Sequence, residues 1–245
     1  MKKITYLLVF CLATLPAFSQ KIVNLVPVGK NGITENIKEA HSFIVVKKYP
    51  EFFQRLDYKL KGPLQKLRSY SDSTLKVLQG PIYEYAPAGT ITKSGYYINN
   101  LKEKDWYYYN DTGKVILEEE YERGVLVKTI DPDTVKHEPL SDKLADGEQE
   151  ALFKKSDREW IKYLSQNLNA ETGNQSVRGG RVVVLFVVNT SGKCVEVHLA
   201  KSVEFVLDEE AIRVIENSPP WEPAFQKGKK VNAYRKQPIS FAKPD

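Results

Sequence analysis

Cysteine is scarce. The 245 residues carry two, Cys11 and Cys194. Cys11 falls inside an N-terminal leader, so the mature chain would hold one thiol and could form no internal disulfide. Cys194 opens an expected strand and reads as a small packed residue rather than a nucleophile. Histidine is scarce too. His41, His137 and His198 stand far apart, and His198 falls on the polar face of its strand. Zinc-ligand spacing, a glycine-rich phosphate loop and a nucleophile elbow are all missing. Gly179-Gly180 precedes a strand, not a helix, and so is no phosphate cradle. These absences leave no catalytic constellation, no metal ligand set and no cofactor site, and the chain is not expected to be an enzyme.

Long hydrophobic runs are also lacking. The apolar stretch from Ile4 to Leu15 is shorter than the roughly 20 residues a membrane-spanning helix needs. With Lys2 and Lys3 before it and Pro16-Ala17-Phe18-Ser19 after it, residues 1–19 read as a secretory leader cleaved after Ser19. That places the protein in the periplasm. Two other readings stay open: an uncleaved leader that anchors in the inner membrane, and acylation at Cys11, where Phe10 occupies a position that wants a small residue. Removal of Lys2 and Lys3 would take the net charge from +5 to +3. The cations are spread along the chain, with no compact basic stripe interleaved with aromatics, so nucleic acid is not an expected partner.

What is present begins with 42% hydrophobic residues, enough for a core. Residues 20–60 give little beyond two strand-like runs, Ile22 to Val28 and Phe43 to Val46, with an Asn31-Gly32 turn signal between them.

From about 61 to 128 the chain repeats itself. Tyr83-Glu84-Tyr85 and Gly89 match Tyr107-Tyr108-Tyr109 and Gly113 at an offset of 24 (107 − 83 and 113 − 89), and Tyr97 matches Tyr121 at the same offset. A degenerate third copy is expected near Leu67 to Asp72. Each unit reads as a β-hairpin that must stack on its neighbours to bury an aromatic row. Tyr83, Tyr85, Trp106, Tyr107 and Tyr109 are the candidates for that row, or for an exposed aromatic surface that binds peptide, glycan or membrane. The segments Gly80 to Tyr85, Gly95 to Asn100 and Trp106 to Gly113 resemble MORN-type repeats of the antitoxin-like variant.

Residues 129–155 read as a linker. Its core, Asp131 to Glu150, holds seven acids against Lys136 and Lys143, with Pro132 and Pro139. Ser156-Asp157-Arg158-Glu159 is a capping box, and Trp160, Ile161, Leu164 and Leu168 then form one helical face. From Gly180 a β-branched run, Val182 to Val188, reaches a turn at Asn189 to Lys193. An alternating strand follows from Cys194. Leu207, Ala211, Val214 and Ile215 share a helical face, and acids in the first turn, Asp208 among them, suit the helix dipole. Pro219-Pro220 stops that helix. Val231 to Phe241 is a last extended run.

That ordered string resembles the TonB C-terminal domain, in the short form of energy-transducer TonB proteins. The likeness rests on Gly180, the alternation at Val182, Val184, Phe186 and Val188, Gly192, Ser202, Leu207-Asp208, Ala211, Pro220-Trp221-Glu222-Pro223-Ala224, Gly228 and Pro238-Ile239-Ser240-Phe241. One departure is that Asn167 to Thr172 stands where relatives carry a Tyr-Pro pair. The resemblance implies an α-β-β-α-β domain at 156–245. It also implies that the last strand pairs with the TonB-box segment of a TonB-dependent outer-membrane receptor, or with another envelope protein, in transmembrane transport. Carried over, the binding strand is Val231, Asn232, Ala233, Tyr234, Arg235, Lys236, Gln237, Ile239 and Phe241. Pro238 has no N–H, so a break or bulge is expected there. The same edge could be covered by its own chain or by a second copy in a homodimer. The alternative function is a scaffold that moves no energy and uses the domain for dimerisation.

The expectation is therefore an α+β protein: an N-terminal antiparallel β-meander of MORN-like hairpins, then a C-terminal TonB-like α-β-β-α-β domain.

Overall fold

The computed structural model describes residues 21–134, 148–154, 156–169 and 171–242. The leader and most of the acidic linker lie outside the described residues.

The N-terminal half is one antiparallel sheet. Its strands are β1 (Lys21–Gly29), β2 (Gly32–Ile33), β3 (Ser42–Lys48), β4 (Phe53–Lys59), β5 (Leu64–Tyr70), β6 (Leu78–Tyr85), β7 (Ile91–Ile98), β8 (Leu101–Tyr109), β9 (Val115–Glu122) and β10 (Val125–Ile130). They follow in the order β10-β9-β8-β7-β6-β5-β4-β3-β1-β2. The meander thus begins at Lys21, forty residues before the start the sequence suggested. Val45, Leu56 and Tyr58 in its early strands are buried.

The 24-residue repeat is a repeat of register. Tyr85 pairs with Ile91 and Tyr83 with Ser94; 24 residues on, Tyr109 pairs with Val115 and Tyr107 with Glu118. Both hairpins carry a bulge at the same place, before Tyr85 and before Tyr109. A third copy is the hairpin β4–β5, where Tyr58 pairs with Leu64 after a bulge at Asp57. Its offset is 27 (85 − 58), because Leu64 to Tyr85 spans 21 residues where Ile91 to Tyr109 spans 18. Tyr58, Tyr85 and Tyr109 are therefore equivalent positions.

The C-terminal half contains α1 (Asp157–Asn167), α2 (Glu171–Gln175), β11 (Gly180–Val188), β12 (Cys194–Lys201), α3 (Phe205–Glu216), β13 (Ala224–Gln226), β14 (Lys229–Val231) and β15 (Ala233–Phe241). Three strands form a sheet in the order β12-β11-β15. Ser156 caps α1 by accepting from the Glu159 amide at 3.2 Å. Trp160 and Leu164 on α1 are buried, whereas Ile161 is 66% exposed and leaves the predicted face. On α3, Leu207, Ala211, Val214 and Ile215 are all buried, as the spacing predicts.

The two halves share one hydrophobic cluster. Leu56, Tyr58, Leu64, Tyr85 and Ile91 pack in the same core as Val184, Leu199, Leu207 and Ala211. The end of the acidic segment joins it: Ala151 and Phe153 are fully buried, and Gln149 and Leu152 bridge to Phe225 and Glu222.

Ser202 is the hub of the seam between the halves. Its amide donates to the Gly89 carbonyl at 2.9 Å, and its hydroxyl accepts from the Leu64 amide at 2.7 Å. That hydroxyl also donates to the Asp208 carboxylate, which further accepts from Tyr58 at 3.1 Å and from the Val203 amide at 3.0 Å. Asp208 is wholly buried, so a helix-dipole role in a solvated first turn does not account for it. Burial pushes its carboxyl up to about 7, against the three donors that pull it down. Nearby, Lys47 on β3 pairs with Glu209 at 2.6 Å.

Candidate strand-binding edge

The alternation of β11 divides the three-stranded sheet into two faces. Val182, Val184, Phe186 and Val188 are buried with α1 and α3. Val183, Leu185 and Val187 face an open cleft of about 1170 Å³ whose other wall is the meander. Tyr83, Tyr85, Tyr107 and Tyr109 line that cleft. Tyr83 stacks on His198 of β12, with centroids 4.6 Å apart. His198 thus faces the meander rather than solvent, and burial holds its imidazole below the usual range. The Tyr85 hydroxyl donates to the Leu199 carbonyl at 3.1 Å.

The five aromatics therefore do not share one face. Tyr85 is 8% exposed and is spent on the seam. Trp106 is fully buried and belongs to the other face of the meander, because it alternates with Tyr107. There it lies over Gly95, where an added Cβ would meet its ring at 2.2 Å, and the Lys102 ammonium sits 4.4 Å from its centroid. Tyr109 shares a 2.9 Å hydrogen bond with Ser94. Tyr107 and Tyr83 remain as cleft-lining rings.

β15 is the edge of its sheet. It pairs with β11 from Gly180↔Phe241 to Val188↔Ala233 without a slip, and no strand pairs with its other side among the described residues. The pairing with β11 runs through Val183↔Pro238 without a slip, so the missing N–H does not interrupt this ladder. An edge strand tolerates proline when the nitrogen is turned away from the partner strand. By the two-residue alternation of an antiparallel ladder, Tyr234 and Lys236 then also direct their backbone groups to the open side.

The predicted binding residues separate accordingly. Tyr234 is 83% exposed, and Lys236 and Asn232 are exposed as well. Val231 belongs to β14, paired with Ala224, and not to the last strand. Ile239 is 3% exposed and is a core residue, because it points to the helix-covered face. Phe241 and Ala233 pack against the same cluster. Arg235 pairs with Glu150 at 2.8 Å and also donates to the Ala151 carbonyl, while Gln237 accepts from the Trp160 indole at 2.6 Å. Exposed Tyr234 and Lys236, with an unpaired backbone beside them, are what β15 offers a partner.

Residues 174–242 match the family model described as Gram-negative bacterial TonB protein C-terminal. This stretch is a TonB C-terminal domain. No curated protein and no solved structure matches the chain. The match covers β11 to β15 and α3, and leaves out α1 and the whole meander. Ser202 and Asp208, part of the motif string of the TonB C-terminal domain, are the residues that grip the meander here. Lys104 and Asp105 of β8, on the cleft wall that faces the domain, escaped the sequence reading. Their position follows from the docking of the two halves, which no local pattern encodes. Among the described residues no helix is long and apolar enough to cross a membrane.

Proposed function

We propose that this chain works on the periplasmic side of the cell envelope, where it binds TonB-dependent outer-membrane receptors by taking an extended receptor segment as a new strand beside β15. The observation that carries this reading is the open edge of β15 in a TonB C-terminal domain. Backbone hydrogen bonds at such an edge supply affinity, and the side chains on alternate positions supply selectivity. This is a binding role, in TonB-dependent transport, with no bond made or broken by the protein.

The test is site-specific photocrosslinking from position 234 of the full chain, in cells, with position 161 on α1 as the control. Adducts with outer-membrane receptors from 234 and none from 161 are expected. Adducts only with a second copy of the chain would favour the dimerisation scaffold instead, and equal labelling from both positions would sink the reading.

A further inference from the structure

The meander is a stacked array, and neither of its end strands is finished as an end. Hairpins in such an array bury their faces only against neighbours, so a terminal unit stays soluble by turning polar residues outward. β10 does the opposite. Val125 is 64% exposed, Leu126 and Val127 are exposed beside it, and Lys128 is the one charged residue of the strand. At the other end Ile22, Val23 and Leu25 of β1 are exposed. Among the described residues no strand pairs with the outer side of β10, and β2 covers β1 only at Val28 and Gly29. Pro27 has no N–H to offer, so the open run of β1 is Lys21 to Val26, as long as the six residues of β10. Bulges do not close these edges: each strand from β4 to β9 belongs to a bulged pair and still pairs on both sides.

Charge and strand direction decide which edge can meet which. Behind β10, β9 holds Glu118, Glu119, Glu120 and Glu122 and no cation. Lys102 answers Glu119, and Lys128 stands opposite Glu120. Behind β1, β3 holds Lys47 and Lys48; Lys21 stands opposite Lys48, and neither strand has an acid. Pairing β10 with β10 of a second copy would bring two rows of glutamates together, and pairing β1 with β1 would bring the lysines together. Like charges across strands disfavour both. Pairing β10 with β1 sets an acidic border against a basic one. Eight antiparallel steps separate β1 from β10, so the two strands run in the same direction. A copy displaced along the sheet therefore meets the first in a parallel pair that continues both faces. The Lys21 end of β1 then lies at the Val125 end of β10, beside the exposed Glu122.

We propose that β10 of one chain pairs with β1 of a second copy, so that the meander continues from chain to chain. Each added copy presents the same free edge again, which makes the assembly head-to-tail and open-ended rather than a closed dimer. β15 lies in a different sheet and takes no part, so the inference stands apart from strand addition there.

The full mature chain is followed by sedimentation velocity over a concentration series. The mean mass should climb past that of two chains, and Tyr234→Ala should climb alike. Val125→Lys, which sets a lysine beside Lys21 of the next copy, should weaken association about tenfold or more, and Val125→Glu should weaken it less. Both variants should keep the parent's thermal midpoint, because the side chain is exposed. A short bismaleimide, in a Cys194→Ser background, then reads the geometry. Val125→Cys mixed with Leu25→Cys should give the mixed 125–25 adduct, and either variant alone should give none. A chain that stays monomeric up to about 1 mM would overturn the proposal. So would a mass that stops at two chains, adducts within a single variant, or association lost in Tyr234→Ala.

Discussion

Tyr58 and Asp208 stand 150 residues apart in sequence, and the Tyr58 hydroxyl donates to the Asp208 carboxylate at 3.1 Å inside the seam between meander and TonB C-terminal domain. Both side chains are fully buried. Tyr58 is the first of three equivalent tyrosines. Tyr85, the second, also donates across the seam, and Tyr109, the third, turns to Ser94 within the meander. The repeat thus supplies hydroxyls at a fixed spacing, and the first two fasten the halves together.

Tyr58→Phe keeps the ring stacked on Phe43 and removes only the donor. Asp208 would keep Ser202 and Val203. The expected loss is about 1–3 kcal/mol, the cost of leaving a buried acceptor short of a partner. Chemical denaturation reads it. No change in midpoint would show that the hydroxyl is not needed in the seam.

The pH dependence has a defined sign. Asp208 sits at about 7 in the folded chain, chiefly through burial, above its ordinary carboxylate value. A carboxyl raised on folding contributes stability that is fully present below its unfolded pKa and is lost as pH rises through the folded one. Glu209 adds to the rise, and Lys47 partly offsets Glu209 by pairing with it. Unfolding free energy should therefore be higher at pH 5.5 than at pH 8.5 by on the order of 1–2 kcal/mol from this group. In Asp208→Asn that part of the slope should vanish. A slope that persists unchanged in the variant would assign it to other groups.

Gly89 lies where the halves touch. Its φ is +88°, and an added Cβ would meet the Ser202 carbonyl at 2.1 Å, a backbone atom that cannot swing aside. Gly228 has φ +73° with nothing within 4 Å. Gly228→Ala should cost only the conformational strain, about 1 kcal/mol. Gly89→Ala should cost about 3 kcal/mol or more, since the seam must open. Equal thermal midpoints for the two variants would refute the close approach.

β15 allows binding and stability to be separated. Tyr234→Ala should leave stability within about 0.5 kcal/mol, because the side chain is exposed, and should reduce capture of an added strand. Ile239→Ala, five residues on, should cost about 2–5 kcal/mol from the core. Paired thermal melts and peptide titrations check both.

Local pattern carried much of this structure. Period-two alternation located β11 and β12, and 3.6-residue spacing located the buried face of α3. The 24-residue offset marked hairpins whose register does repeat, and the C-terminal string named a TonB C-terminal domain. Alternation also places Trp106 and Tyr107 on opposite faces, so the five aromatics cannot form one row. Pro238 leaves the ladder with β11 intact because a missing N–H matters only on the side that pairs, and which side pairs is a property of the sheet.

The sequence by itself determined the repeated hairpins and the order α1, β11, β12, α3 and the closing strand, since backbone preference and side-chain period act within a few residues. Only the tertiary structure decided that the strands from Lys21 onward join the meander sheet, that Ser202 and Asp208 serve a seam, and that β15 borders the cleft that Tyr107 lines. Those facts depend on surfaces brought together from far apart in the chain. Burial is awarded to whichever faces meet, and a buried carboxylate finds its donors only where folding delivers them.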